Sequence, residues 1–240
     1  MHPNSIKDGW MINGIMSLHN IIGPVMVGPS SSHTAGAVRI GHMARILLKD
    51  TPLSGEICLH GSFAKTGPGH GTDKAIIAGI LGLQPDDMLV PNSFAIAEEK
   101  KFTFSIGTIQ ISDAHPNTAL IKLKGVNGRE IEVQASSVGG GCIMVNKIDG
   151  IDVNFSGENP TLIVHNLDQP GHVAEVTSML AHKSVNIATM QLYRERRGEY
   201  AVMVIETDQP IPDNAIAWLE DLEGIIKVTY FNGLGYENIV

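Results

Sequence analysis

The chain has 240 residues and a mass of 25.7 kDa, enough for one large domain or two ordinary ones. Hydrophobic residues make up 43% and charged residues 18%, so it can bury a core and is not a disordered tail. Its 17 basic and 25 acidic side chains leave a net charge of −8. That balance argues against nucleic acid or an anionic membrane as a partner, because both need a basic footprint. No uninterrupted apolar run reaches the roughly 20 residues of a membrane span, and the first residues lack the apolar stretch of a secretion signal. The only cysteines, Cys58 and Cys142, lie far apart and indicate no disulfide framework, which makes a reducing cytoplasm the expected compartment. Alone they are too few for a four-cysteine metal or cluster site.

In chain order, the first convincing element is a helix over 34–48. Ile40, Met43, Ala44, Leu47 and Leu48 form one stripe, and Ser31, Ser32 and Thr34 offer N-cap oxygens. Residues 55–61 read as a strand, then a glycine-rich turn, then a helix from 72 to 81. Two alternating segments, 121–124 and 130–134, flank Asn127-Gly128, a strong hairpin signal. The stretch from Asn154 to Pro160 interrupts every periodicity and reads as a linker. Charge shifts there as well: residues 1–157 carry 12 basic and 13 acidic side chains, residues 158–240 carry 5 and 12. Two domains, 1–157 and 158–240, are therefore expected.

The second half alternates regularly. Thr161–His165 is a β-branched strand ended by the turn-rich NLDQPG, and Val173, Val176, Thr177, Leu180 and Ala181 recur at helical spacing. Residues 185–192 and 200–207 read as strands about a polar turn at 194–198. Pro212 and Asp213 open a second helix through Trp218, and 225–230 is a last strand. The order βαββαβ predicts one sheet backed by two helices. The fold class is α+β.

The densest chemistry lies in Gly28-Pro-Ser-Ser-Ser-His-Thr-Ala-Gly36, which runs into the first helix. Free N–H groups, the hydroxyls of Ser30, Ser31, Ser32 and Thr34, and the titratable ring of His33 suit a small carboxylate. No lysine follows the glycines, so the phosphate-loop pattern is absent. A second loop, Gly67-Pro-Gly69-His70-Gly-Thr72-Asp73, puts His70 at its tip with Thr72 and Asp73 as caps. A third, His115-Pro116-Asn117-Thr118, carries another histidine. Three such histidines at strand–helix junctions can move protons near neutrality. The remaining ones (His2, His19, His42, His60, His165, His172 and His182) read as surface or terminal residues.

Gly139-Gly140-Gly141-Cys142 reads as an anion cradle or a close packing point. With Lys65 it faintly resembles pyridoxal-phosphate dehydratases, although the spacing is wrong, and Lys65 reads as a solvated lysine. In the second half, Asp168, Gln169, Gly171 and His172 sit where strand meets helix, either as a turn with a cap or as an effector pocket.

Three motifs together, GPSSSHTAGA from Gly28, GSFAKTGPGHGTD from Gly61 and HPNTA from His115, resemble the iron–sulfur-dependent L-serine dehydratases of bacteria, specifically the β chain of the two-chain type. The second half is similar to the ACT domain, a ferredoxin-like βαββαβ module that senses amino acids. The first is similar to the allosteric substrate-binding domain of some phosphoglycerate dehydrogenases. The resemblance implies deamination of L-serine to pyruvate and ammonia with a four-iron, four-sulfur (4Fe-4S) cluster. Its cysteine ligands are expected on a separate α chain, and no metal is expected within this one. It also implies roles: His70 as the proton-abstracting base, His33 as a donor to substrate or cluster-bound oxygen, and His115 as a supporting or alternative acid–base group. Ser30, Ser31, Ser32, Thr34, Gly69, Thr72 and Asn117 would line the substrate site. Asp168, Gln169, Gly171 and His172 would bind the effector, and the ACT half would pair into a homodimer. A non-catalytic, amino-acid-sensing regulatory subunit is the alternative.

Overall fold

A computed structural model of the chain describes residues 26–194 and 196–234, among which no helix is long and apolar enough to cross a membrane. A π-helical turn, Ser31–Gly36, continues into α1 (Ala37–Leu48). Then come β1 (Pro52–His60), α2 (Gly61–His70), α3 (Thr72–Ile80), α4 (Ser93–Glu99) and β2 (Thr103–Ile109). Four further strands complete the first sheet: β3 (Thr118–Gly125), β4 (Glu130–Gly139), β5 (Cys142–Ile148) and β6 (Ile151–Phe155). The strand order is β2-β1-β3-β4-β5-β6, with β1 and β2 parallel and every other neighbour antiparallel. A parallel pair requires a crossover, and here the three helices α2–α4 supply it. The sheet is apolar on one face only. On the other, Lys122 stands directly across from Glu132 and Lys124 from Glu130, each pair at 3.0 Å, as a solvated antiparallel face allows.

The covered face carries α1 and α3, whose backbones touch. A Cβ on Gly41 would fall 2.1 Å from the Ile76 carbonyl oxygen, and one on Gly79 would fall 1.9 Å from that of Val38. No side chain larger than hydrogen fits either position. Around this contact Ile40, Met43, Leu47, Ile76, Ile77 and Ile80 are fully or almost fully buried against Ile57, Ile121 and Ile143 of the sheet.

The glycine-rich segment expected to turn is helical: α2 spans Gly61–His70, so His70 ends a helix instead of tipping a loop. Tertiary anchors override its poor propensity. The N–H groups of Ser62 and Phe63 donate to the Pro116 carbonyl at 2.7 and 3.4 Å, and Phe63 is wholly buried. The break falls one residue later, at Gly71, whose φ of +70° lets α3 start in a new direction. Thr72 does not cap α3, because its hydroxyl is buried without a partner. The three glycines at 139–141 form the hairpin connection from β4 to β5, and the Gly141 carbonyl accepts from Arg39 at 3.3 Å.

The second sheet has the order β10-β7-β9-β8 and is entirely antiparallel. Its strands are β7 (Thr161–Leu167), β8 (Ile187–Arg194), β9 (Tyr200–Thr207) and β10 (Ile225–Phe231). Two helices, α5 (His172–His182) and α6 (Asp213–Glu220), complete the expected βαββαβ order. Leu162, Val164, Met203 and Ile205 face these helices, while Ile163, Val202, Val204 and Phe231 join the core of the first sheet. The stretch read as a linker is accordingly packed. Phe155, Gly157 and Pro160 are buried, the Gly157 carbonyl accepts from Leu234 N at 2.8 Å, and Arg39 pairs with Glu158 at 2.9 Å.

Several histidines read as peripheral are inside. His42, His60 and His172 are at most 9% exposed, and His165 lies on β7 at the seam between the sheets. The period-2 alternation puts His165 on the same face as Ile163, which is why it is covered. His182 is exposed, and His2 and His19 lie outside the described residues. Burial, with the Lys227 charge beside it, pushes the His165 imidazole down to about 4.

Two outcomes follow from this packing. Gly79→Ala improves helix propensity yet inserts a methyl into backbone, so urea unfolding should show a loss of about 1–3 kcal/mol instead of a gain. For His165, the unfolded chain takes up a proton below about 6.5 while the folded chain resists until about 4. Stability should therefore fall as pH drops through that window. Between pH 7 and 4.5 this residue accounts for about 2–3 kcal/mol of the loss. His165→Leu should remove that share in urea titrations at the two pH values.

Candidate functional site

The site begins at the π-helical turn, a departure from regular helix of the kind that aims side chains into functional clefts. Ser30 is the N-cap: its Oγ accepts from His33 N at 3.1 Å and lies 3.4 Å from His33 Nδ1. The His33 ring projects toward α2. There its Nε2 lies 3.2 Å from Ser62 Oγ and 3.1 Å from Thr66 Oγ1, with the buried Phe63 ring edge-on at 5.3 Å. The ring of His70, one turn further along α2, is 5.3 Å from that of His33.

These bonds fix where the protons are. Thr66 donates its hydroxyl hydrogen to the Ser62 carbonyl at 2.9 Å, so toward His33 its oxygen must accept. Nε2 of His33 is therefore protonated, Nδ1 carries the lone pair, and Ser30 Oγ–H is placed to donate to it. Burial, and then the neighbouring His70, hold the His33 pKa below its ordinary value, against the opposing hydrogen bond with Ser62. His33 is thus a neutral, oriented ring at pH 7. His70 is exposed and, apart from its ring contact with His33, has no hydrogen-bond partner among the described residues. One imidazole is held and the other is free.

His70 borders a cavity of 350 Å³ shared with Gly28, Thr34, Gly69, Asp73 and Lys74. Thr34 is 4% exposed and its Oγ1 has no partner, an unsatisfied buried hydroxyl on the wall of an open cavity. Ser31 and Ser32 are half-buried beside it, and their hydroxyls make no hydrogen bond among the described residues. Thr72 is fully buried beneath this wall, and Lys65 is exposed.

His115 is placed differently. Its loop is part of the same construction, since Pro116 caps α2 and Asn117 O accepts from Ser137 N at 2.9 Å, with Ser137 packed on Gly36. Its ring, however, lines a separate cavity of 520 Å³ with Gln134, Ser136 and Asn146. His115 Nδ1 accepts from Asn117 N at 3.1 Å, so a neutral ring presents Nε2–H to that cavity. Histidine-bearing loops identified in sequence gave no sign that one ring faces away. Sequence reasoning also missed Ser62 and Thr66, which set the state of His33. The signal available was their i, i+4 spacing on one helix face, hidden while the segment read as a turn.

In the second sheet, Asp168 is engaged locally. Its Oδ2 accepts from Gly198 N and from Arg194 Nη1, both at 2.9 Å, and the two together hold its carboxyl below the usual range. Gln169 and Gly171 are exposed. His172 is buried, with Nδ1 3.2 Å from Glu175 Oε2 and Nε2 unpartnered against Gly224. The Asn166 side-chain oxygen is likewise buried without a partner.

As to metal ligands, Cys58 and Cys142 are both free, and among the described residues no group of three or more His, Cys, Asp or Glu side chains is placed to hold a metal ion. The donors present do not fit an iron–sulfur cluster, which needs several thiolates converging.

The proton assignment has a direct check by nitrogen NMR of the ring. In Thr66→Val, Ser62 Oγ–H is freed to donate to Nε2, and the His33 Nε2 resonance should move toward the unprotonated position. Thr66→Ser should keep the parent shift. The His33 titration midpoint should lie below 6.5 and rise in His70→Ala.

Comparison with known proteins identifies the family of the chain. Residues 22–148 match the family model described as serine dehydratase beta chain, and residues 160–224 match the ACT domain. The chain is 41% identical over 213 residues to the probable L-serine dehydratase beta chain of Bacillus subtilis, covering 89% of this chain and 96% of that one. It is 37% identical to the L-serine dehydratase beta chain of Peptoniphilus asaccharolyticus, covering 89% and 97%. A more distant similarity, 24% over 80% of this chain and 36% of the other, links it to D-3-phosphoglycerate dehydrogenase of Bacillus subtilis. With similarity running through nearly the full length of both L-serine dehydratase chains, this chain belongs to the serine dehydratase beta chain family and carries an ACT domain.

Proposed function

We propose that this chain is the β subunit of a cytoplasmic L-serine dehydratase that converts L-serine to pyruvate and ammonia together with a cluster-bearing α subunit. The observation that carries the reading is the oriented His33 beside the unrestrained His70, on a cavity wall that holds the unsatisfied hydroxyl of Thr34. Dehydration of serine removes the α-proton and the β-hydroxyl. The enamine left behind tautomerises and hydrolyses to the keto acid and ammonia.

The residues of this chain account for the proton-handling and anchoring part. His70 takes the α-proton, because its ring is exposed and no hydrogen bond occupies its nitrogens. His33, held neutral by burial, orients the hydroxyls around it and carries a proton between Nδ1 and Ser30. The hydroxyls of Ser31, Ser32 and Thr34 bind the carboxylate or hydroxyl of the substrate, with Gly69 leaving room at the cavity mouth. Thr72 and Asn117 support this wall from behind, and His115 serves as a donor on the neighbouring cavity. The donors of this chain do not fit the 4Fe-4S cluster, so we assign its ligands to the α chain and the complete active site to the contact between the chains.

The units 1–157 and 158–240 act as catalytic half and sensor. In the sensor, the loop of Asp168, Gln169, Gly171 and His172 would bind an amino-acid effector. The free edge of β8, where Leu192 is 48% exposed, would pair with a second copy.

Anaerobic co-purification with the α chain tests the whole. A brown complex forming pyruvate from L-serine, and an inactive single chain, is the expected result; an inactive complex with its cluster intact would sink the reading. Within the complex, His70→Ala should lower turnover about 10²–10⁴-fold. If His33 and His70 variants alter only effector sensitivity and leave maximal turnover intact, the chain is a regulator and not a catalytic partner.

A further inference from the structure

At the seam between the two sheets, three cations from three different elements converge on a cavity of 250 Å³. Lys49 follows the last residue of α1, Arg129 leaves the β3–β4 hairpin, and Lys227 projects from β10. Ile225, Ile226 and Val228 form the apolar part of the wall, and Glu220 is the one carboxylate among the lining residues. Glu220 is committed to Lys49, at 3.1 Å, and the Lys49 ammonium also donates to Val228 O at 2.8 Å. Arg129 spends one of its five donors on the Lys49 carbonyl, at 3.0 Å. Among the described residues neither Arg129 nor Lys227 has a carboxylate at ion-pair distance.

The positive charge is real and only partly compensated. Lys227 is half-buried, and desolvation lowers its pKa; Arg129 and Lys49 lower it further, while Asp149 opposes them. The Asp149 Oδ1 accepts the Glu132 N–H at 2.8 Å. On the other side of Lys227 is the buried, neutral ring of His165, which contributes no counter-charge. A desolvated ammonium crowded by two cations costs stability unless an anion sits among them. In a chain whose net charge is −8, such a focus of positive charge runs against the overall balance.

We propose that this cavity is a binding site for a small dianionic oxyanion, with the guanidinium of Arg129 and the ammonium groups of Lys227 and Lys49 as its ligands. A guanidinium engages two oxygens of one group at once, and 250 Å³ holds a phosphate or a short dicarboxylate but not a nucleotide. Arg129 and Lys49 belong to the first sheet and its helices, Lys227 to the second. A bound anion therefore ties the two units together at the end of α1 opposite His33.

The test uses the full chain and thermal unfolding in potassium phosphate, potassium malonate and potassium chloride at equal ionic strength. Phosphate or malonate at about ten times its Kd should raise the midpoint by about 3–5 °C over chloride. Arg129→Gln, at an exposed position, and Lys227→Met should each erase that difference while leaving the chloride midpoint within a few degrees. Phosphate responding alone selects a tetrahedral anion and malonate alone a dicarboxylate; both outcomes support the site. Equal midpoints in all three salts, or an anion-specific rise that survives in Arg129→Gln, overturn it. Should Lys227→Met fail to fold, Arg129→Gln decides.

Discussion

The contact on which the rest of the architecture depends is the backbone-to-backbone approach of α1 and α3. Gly41 and Gly79 let each helix press on the carbonyl groups of the other, so their axes are set by peptide geometry and not by the size of a side chain. The turn that carries Ser30–Thr34 precedes α1 directly, and α2 is tied to α3 through Gly71. Fixing α1 against α3 therefore fixes the Ser30–Thr34 turn against the end of α2. That is the distance between His33 and His70. The spacing of this pair of imidazoles thus rests on close backbone packing, the kind of support a precisely held site requires.

Within that frame the two histidines differ because of what surrounds them. Ser62, Thr66 and Phe63 enclose His33 and dictate its tautomer, while His70 reaches past the end of α2 into an open cavity. Environment alone separates two chemically identical side chains into one held by hydrogen bonds and one exposed on a cavity, the kind of difference by which acid and base roles can be divided. His115 shows the converse. Its loop is indispensable to the helix it caps, yet its ring serves another cavity.

How much of this was legible in the sequence depended on the source of order in each segment. All six elements of the second unit could be read, because alternation and turn residues agree there with the tertiary fold. Helix α2 could not: glycines and a proline make up four of its ten residues, and what holds it is the distant Pro116 carbonyl and the pocket around Phe63. Strand β2 escaped for the same reason, since it pairs with β1 only across the three-helix crossover, and β5 and β6 escaped although tight hairpins join each to the strand before it. The motif residues Ser30–Thr34 and His70 pointed to a site through composition and position at helix starts. Thr66 did not, since its role exists only relative to a ring 33 positions earlier. The buried histidines were misread because a titratable side chain argues for solvent until its place on a strand or helix face is known.

The shared core has one consequence for how the molecule came to be assembled. Ile163, Val202, Val204 and Phe231 are interior residues only because the first sheet covers them, and Met43, in turn, reaches Gly157. Neither half could be exchanged for an unrelated module without baring a greasy flank on the other. A unit joined in this way cannot swing on a tether, and any displacement of one half must reach the other as pressure through close-packed apolar surface.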